Sequence, residues 1–271
     1  MDPRFLPDGV DLERPNAARI YDWALGGTAN WAVDREFGEQ LVKAFPLIRS
    51  LARANRAFLG RAVRYCAERG VNQFLDLGSG VPTVGNVHEI ADDADGDSRC
   101  VYVDNEPVAV AHAKILLERN GDPARHAVLG GDLCDADDIW ERAIDIGVLD
   151  PAKPVALLTV AVLHFVPGPG LAGVIARYRR LLPAGSFYVL SHVTTSGVEG
   201  DELGQVRRVV KQYEQSSTPA SFRDKEEILG FFGDFDLVAP GLVPVGAWRL
   251  DDPHSPALNC AIGGVARKPG F

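Results

Sequence analysis

An apolar run, a carboxylate and a Gly-x-Gly turn follow one another in Phe74-Leu75-Asp76-Leu77-Gly78-Ser79-Gly80. Those residue types build nucleotide-cofactor pockets, because glycine lets the backbone turn tightly and approach a ligand where a Cβ would collide. A dinucleotide fingerprint needs a third glycine three residues after the second. That position is Thr83, preceded by Pro82. The pattern therefore favours a nucleoside ligand without a pyrophosphate, such as S-adenosylmethionine, over a nicotinamide dinucleotide. A second apolar run, Cys100-Val101-Tyr102-Val103, ends in Asp104, where a carboxylate can accept from both hydroxyls of a ribose. Asp104 or Asn105 also suits the cap of a helix that Pro107 begins. A third run, His126 to Gly130, leads into Gly131-Asp132-Leu133, where Asp132 can accept from an adenine amino group and the Leu133 backbone can meet the ring edge. Asp132 reads also as a turn residue.

The elements that must position these groups follow from periodicity. Runs ending at Leu77, Asp104 and Gly130, and further runs over 155–162 and 187–192, read as strands. Helical stretches over 84–94, 108–119, 136–143, 171–182 and 199–215 alternate with them. Alternation of this kind implies parallel strands with crossover helices and a ligand at the strands' carboxyl ends. Three helices precede the first strand: one from Pro15 to Gly26-Gly27, one from about Asn30 carrying Phe37, Leu41 and Val42, and one from Pro46 to Gly70. Residues 1–70 thus form a helical extension or cap, and residues 71–271 the α/β core. Toward the C-terminus, Ser221 is the expected cap of a short helix running on through Lys225 to Phe232, and interruptions at Pro240-Gly241 and Asp252-Pro253 fit a long connection between two final strands.

The segments FLDLGSG, YVDNEP, GGDL and TVAVLHFVP, in this order and spacing, resemble the class I S-adenosylmethionine-dependent methyltransferases. The runs RPNAARIYDWALGGTANWAVDRE and RANRAFLGRAVRY resemble more narrowly an actinobacterial S-adenosyl methyltransferase family long carried as a domain of unknown function. The resemblance implies a Rossmann-like sheet, mostly parallel with an antiparallel last strand, behind the N-terminal helices. It implies that Asp76, Gly78, Ser79 and Gly80 form the first cofactor motif, Asp104 with Asn105 the ribose site, and Asp132 with Leu133 the adenine site. It leaves the methyl acceptor unassigned.

Methyl transfer from a sulfonium depends chiefly on positioning and desolvation. If the acceptor must lose a proton, His164, just after the fourth strand, is placed to take it; His192 near the end of the fifth is the other candidate, although a histidine at a strand end also serves to organise backbone hydrogen bonds. Tyr21, Trp31 and Asp34 are candidates to close over the pocket, an aromatic face lying against the sulfonium, or else to pack the helices together. Arg49, Arg53, Arg56 and Arg64 share a helical face; Arg53 or Arg56 can grip a carboxylate, or the stripe is simply solvated. Other signatures fail. His88-Glu89 has Asp92 where a zinc protease needs its second histidine, Ser186 lacks a Gly-x-Ser-x-Gly elbow, and no P-loop lysine follows Gly80.

Composition agrees with a globular enzyme: 271 residues, 46% hydrophobic. A net charge of -9 argues against nonspecific nucleic-acid binding. No run approaches the roughly 18 apolar residues of a membrane helix, which points to a cytoplasmic protein. Cys66, Cys100, Cys134 and Cys260 are scattered without ligand spacing, so neither a metal nor a disulfide framework is expected. The expectation is methyl transfer from S-adenosylmethionine to a small-molecule acceptor. The alternatives are a nicotinamide-dinucleotide oxidoreductase and a nonenzymatic S-adenosylmethionine-binding sensor or scaffold.

Overall fold

A computed structural model describes residues 9–82, 85–250 and 258–270. The chain runs α1 (Ala17–Leu25), α2 (Ala32–Ala44), α3 (Ile48–Ala67), β1 (Gln73–Leu77), α4 (Val87–Ala94), β2 (Arg99–Asp104), α5 (Pro107–Asn120) and β3 (His126–Gly130). It continues through α6 (Ala136–Asp145), β4 (Ala156–Val160), a 3-10 turn (Leu163–Phe165), α7 (Leu171–Leu181), β5 (Phe187–Val193), α8 (Gly200–Tyr213) and α9 (Lys225–Gly230). Three strands close it: β6 (Asp236–Leu237), β7 (Val243–Pro244) and β8 (Ala261–Arg267). The sheet order is β3-β2-β1-β4-β5-β8-β6, with β7 also on β8; the first five strands are parallel and β8 is antiparallel to β5. The expected Rossmann-like sheet with an antiparallel last strand is therefore present.

Strand parity decides what each residue of the site faces. Leu75, Leu77, Val101, Val103, Leu157 and Leu190 point to one face and pack on α6, α7 and α9 through Ile139, Ile175, Tyr178 and Ile228. Phe74, Cys100, Tyr102, Leu158, Phe187 and Val189 point to the other and pack on α3 and α4 through Phe58, Leu59, Val63, Cys66 and Ala91. Fully burying a large apolar side chain contributes about 1.5 to 3 kcal/mol, so α3 is held firmly as one of the sheet's covering helices. By the same alternation Asp76 and Ser191 lie on the α3 face, and His192 lies on the opposite face.

Several boundaries differ from the sequence reading. Helix α4 starts at Val87, where Asn86 and Glu89 form a reciprocal cap; Thr83 and Val84 lie outside the described residues, as do Asp252 and Pro253. Asp224, rather than Ser221, caps α9 by accepting from Glu227 N, while Ser221 N donates to the His164 carbonyl at 2.7 Å. Glu106 occupies the N-cap position of α5, one residue beyond Asn105. No helix among the described residues is long and apolar enough to cross a membrane.

Candidate functional site

A cavity of about 410 Å³ opens at the carboxyl ends of β1, β2, β4 and β5, beneath α1, α2, α3 and α8. Its lining includes Asp76, Gly78, Ser79, Gly80, Asp104, Asn105, Asp132, Leu133, Tyr21, Arg56 and His164. The structure thus brings together all eight expected cofactor residues. A side groove continues from Asp104, Asn105 and Asp132 along α5 past Val110 and Lys114.

The glycine turn is held by its neighbours' hydrogen bonds. Gly78 N and Ser79 N both donate to Val103 O, at 2.8 and 3.1 Å, extending β1 past its last residue. Gly80 N donates to Asp104 Oδ2 at 2.7 Å, and Glu106 N donates to Asp104 Oδ1 at 2.8 Å. One carboxylate therefore ties the turn after β1 to the start of α5. Gly78 and Gly80 have φ of 66° and 67°, a region that L side chains rarely adopt. A Cβ at Gly78 would collide with the Val162 side chain, whereas one at Gly80 would meet no atom of the described residues within 4 Å. The first requirement for glycine at 78 is thus the close approach of the segment after β4, a contact that sequence reading had given to the ligand.

Electrostatically the site is dominated by buried carboxyl groups. Burial pushes the Asp76 carboxyl up to about 7, against the pull of Arg56 on α3 and with a further push from Asp104. Burial also raises Asp104, opposed by the backbone donors at Glu106, Gly80 and Asn105, and raises Glu106 despite nearby Arg19. Three carboxyl groups are withdrawn from water around one turn. A ligand bringing hydroxyl donors and positive charge would supply what they lack.

The segment after β4 forms the opposite wall. Ala161 adopts φ 58°, and its N–H donates to Ser191 Oγ at 2.9 Å. Ser191 Oγ donates to Asn55 Oδ1 at 2.6 Å, Asn55 Nδ2 donates to Tyr21 OH at 3.0 Å, and Tyr21 OH donates to Ala52 O at 3.0 Å. This chain of bonds joins β4, β5, α3 and α1 across the cavity, and holds the strained Ala161 in place. Tyr21 is thus at the pocket, as expected, with its hydroxyl committed to α3.

His164 is buried beside Phe165 and His192, with ring centroids 4.3 and 5.3 Å away. Its Nδ1 is buried and has no hydrogen-bond partner among the described residues. Burial, with the nearby His192 and Arg223, lowers its pKa well below the usual range, so the ring is neutral at neutral pH. His192 is a different case. Arg223 Nη1 donates to His192 Nε2 at 3.0 Å, which leaves the ring proton on Nδ1, donating to Val193 O at 2.6 Å. With its pKa lowered to about 4, chiefly by burial, His192 has no lone pair left for substrate and acts as a structural link. Arg223 also donates to Leu163 O and Val166 O, each at 2.9 Å, and so fixes the loop that carries His164.

Three expected lid or carboxylate contacts lie elsewhere. Asp34 is fully buried in an ion pair with Arg19 at 3.0 Å and accepts from Asn16 N and Trp31 N. Trp31 packs near Val81 and Val108, with the Arg19 guanidinium 5.3 Å from its ring. Neither lines the cavity, and both serve to lock α1 to α2. Arg53 is exposed and also outside the lining, because the helical stripe turns Arg56 inward and Arg53 outward. Sequence reading missed Asn55, Ser191, Glu106 and Arg223. Asn55 lies beside Arg56 on a helix already suspected, but its partner is 136 residues away.

The open parallel sheet, the glycine turn clasped by a carboxylate at the end of β2, and the cavity at the strand ends define a class I methyltransferase. The chain belongs to the family described as S-adenosyl methyltransferase, whose sequence model matches residues 4–269. It is similar to a candidate methyltransferase from Thermobifida fusca YX, at 33% identity over 98% of this chain and 99% of that one, with a TM-score of 0.89. It is also similar to a DUF574-family protein from Streptomyces avermitilis MA-4680, at 35% identity over 95% and 98% of the two chains, with a TM-score of 0.87. The S-adenosylmethionine-dependent methyltransferase SibL, at 13% identity over 93% of this chain and 70% of that one, shares the fold at a TM-score of 0.56. No curated protein matches the chain. Family membership makes the cofactor S-adenosylmethionine and the chemistry methyl transfer, in place of the nicotinamide alternative.

The two glycines have separable roles, and stability measurements distinguish them. Gly80→Ala is expected to cost about 1 to 2 kcal/mol through its left-handed backbone alone. Gly78→Ala should cost about 1 to 3 kcal/mol more, because Val162 must also move. Equal losses in urea unfolding would contradict the close contact at Gly78.

Proposed function

We propose that this protein methylates a small-molecule acceptor in the cytoplasm, with Asp104 on the ribose, Asp76 and Arg56 toward the amino-acid end, Asp132 and Leu133 at the adenine, and His164 at the acceptor. The observation that carries this reading is the set of buried carboxyls at the strand ends, with Asp104 clasping the glycine turn through Gly80 N and Glu106 N and Asp76 beside Arg56. The residues fit the cofactor: Asp104 can accept further bonds on lone pairs not used by the backbone, and Asp76 faces Arg56 as a cation and anion pair suited to an ammonium and a carboxylate. The cofactor supplies a methyl group on a sulfonium whose departing sulfur is neutral.

The protein's share is orientation, exclusion of water and placement of a proton. Helices α1, α2 and α8 roof the cavity. A polar clasp helps to close it, because Ala17 N donates to Thr218 Oγ1 at 2.9 Å and Ser217 N to Pro15 O at 2.9 Å. His164, neutral at neutral pH and lining the cavity, accepts the proton of an acceptor hydroxyl or amine as that atom becomes methylated.

The cofactor titration is predicted to depend on pH. Asp76 must be ionised to accept from an ammonium, and with its pKa at about 7 only about a tenth of it is ionised at pH 6. Calorimetry should therefore show S-adenosylmethionine binding about tenfold more tightly at pH 8 than at pH 6. NAD should not bind at either pH. A pH-independent affinity would remove Asp76 from the amino-acid end, and binding of NAD alone would overturn the reading.

Asp76→Asn should uncouple binding from stability. A carboxyl raised from 3.8 to about 7 by folding costs stability that grows as pH rises between those values and is full above 7, up to about 4 kcal/mol. The ligand-free variant should therefore melt above the parent at pH 8, with little difference near pH 4, while losing cofactor affinity. A variant that melts lower at pH 8 would contradict burial of an ionised Asp76.

A further inference from the structure

Charge is distributed unevenly around the cavity. The charged residues that line it are Arg56, Asp76, Asp104, Glu106 and Asp132, all gathered at β1, β2, β3 and the part of α3 that faces them. The other end is bounded by α1, α2, α8 and the loop after β4, and there, among the described residues, Ile20, Leu41, Phe45, Phe165, Val209 and Tyr213 line it with no formal charge. Ile20 and Leu41 form a small apolar cluster with Phe37, against which Val209 and Tyr213 pack. Phe165 and Tyr213 meet with ring centroids 5.4 Å apart, inclined at 52°. The polar groups nearest this end are largely committed: Thr218 Oγ1 accepts from Ala17 N, and His192 is held by Arg223 and Val193. The neutral exceptions are His164, at the junction between the two ends, and the Tyr213 hydroxyl.

We propose that this uncharged end is the acceptor subsite and that it takes a neutral aromatic small molecule; the proposal rests on the methyl-transfer reading above. A charged acceptor would have to shed its water among these side chains without a counter-ion, which disfavours it. A planar ring meets walls that include the rings of Phe45, Phe165 and Tyr213, and ring pairs attract beyond the area they bury. One polar atom on the ring, directed at His164, would complete the fit.

The test uses the full-length protein and three probes in calorimetry: S-adenosylhomocysteine, then 1-naphthol and 1-naphthoate, each added to protein saturated with S-adenosylhomocysteine. 1-Naphthol should bind saturably and 1-naphthoate at least tenfold more weakly. Val209→Lys, which places a cation on α8 away from the cofactor residues, should weaken 1-naphthol at least tenfold, strengthen 1-naphthoate, and leave S-adenosylhomocysteine unchanged. Equal binding of the two naphthalenes, failure of 1-naphthol to bind, or indifference of both to Val209→Lys would overturn the subsite. If S-adenosylhomocysteine binds and 1-naphthol does not, the subsite falls and the cofactor reading stands. If 1-naphthol binds with the Val209 dependence to protein that S-adenosylhomocysteine does not occupy, the cofactor reading falls and the subsite stands; binding of neither overturns both.

Discussion

The Asp104 carboxylate is the constraint on which the site depends. It sits at the end of a fully parallel strand and accepts from Gly80 N on one oxygen and Glu106 N on the other, so the glycine turn and the first turn of α5 are set by one side chain. The backbone donors partly offset the cost of burying it. The geometry works only because Gly78 and Gly80 adopt positive φ and Gly78 leaves room for Val162. Carboxylate, glycines and the segment after β4 thus require one another, and the cavity is the space they leave.

Around that centre, the alternation of the strands distributes the remaining roles. Asp76 and Ser191 share the face covered by α3 and therefore meet Arg56 and Asn55. His192, one residue past Ser191, faces the other way and meets Arg223, which makes it part of the scaffold. Above the sheet, the Arg19–Asp34 pair and the Arg19–Glu106 contact at 3.4 Å anchor the N-terminal helices to the β2–α5 junction that Asp104 organises. Breaking one partner of such a buried pair leaves an uncompensated charge, so the roof and the cofactor turn are coupled mechanically.

Much of this was legible in the sequence where local pattern determines position. The ends of β1, β2 and β3 are marked by apolar runs closing on Asp76, Asp104 and Asp132, and the parallel order follows from their alternation with helices. His164 was legible because it falls just beyond β4, at the ligand-binding edge of the sheet. What local pattern does not encode is which distant element a polar side chain meets. Trp31 and Asp34 sit in a specific, recognisable run, yet their partner is Arg19 and their role is to lock helices. Asn55 and Ser191, joined across 136 residues, carry no local signature. Arg53 and Arg56 are separated by less than one helical turn, and only the packing of α3 on the sheet selects Arg56 for the cavity. Asp224 takes the cap expected of Ser221 because the chain enters α9 three residues later.

The most direct test is a crystal structure of the complex with S-adenosylhomocysteine. The account predicts both ribose hydroxyls within hydrogen-bond distance of the Asp104 carboxylate, with its bonds to Gly80 N and Glu106 N retained. A ribose bound elsewhere, or an Asp104 turned away from the glycine turn to reach it, would contradict the claim that one carboxylate both builds the turn and reads the ligand.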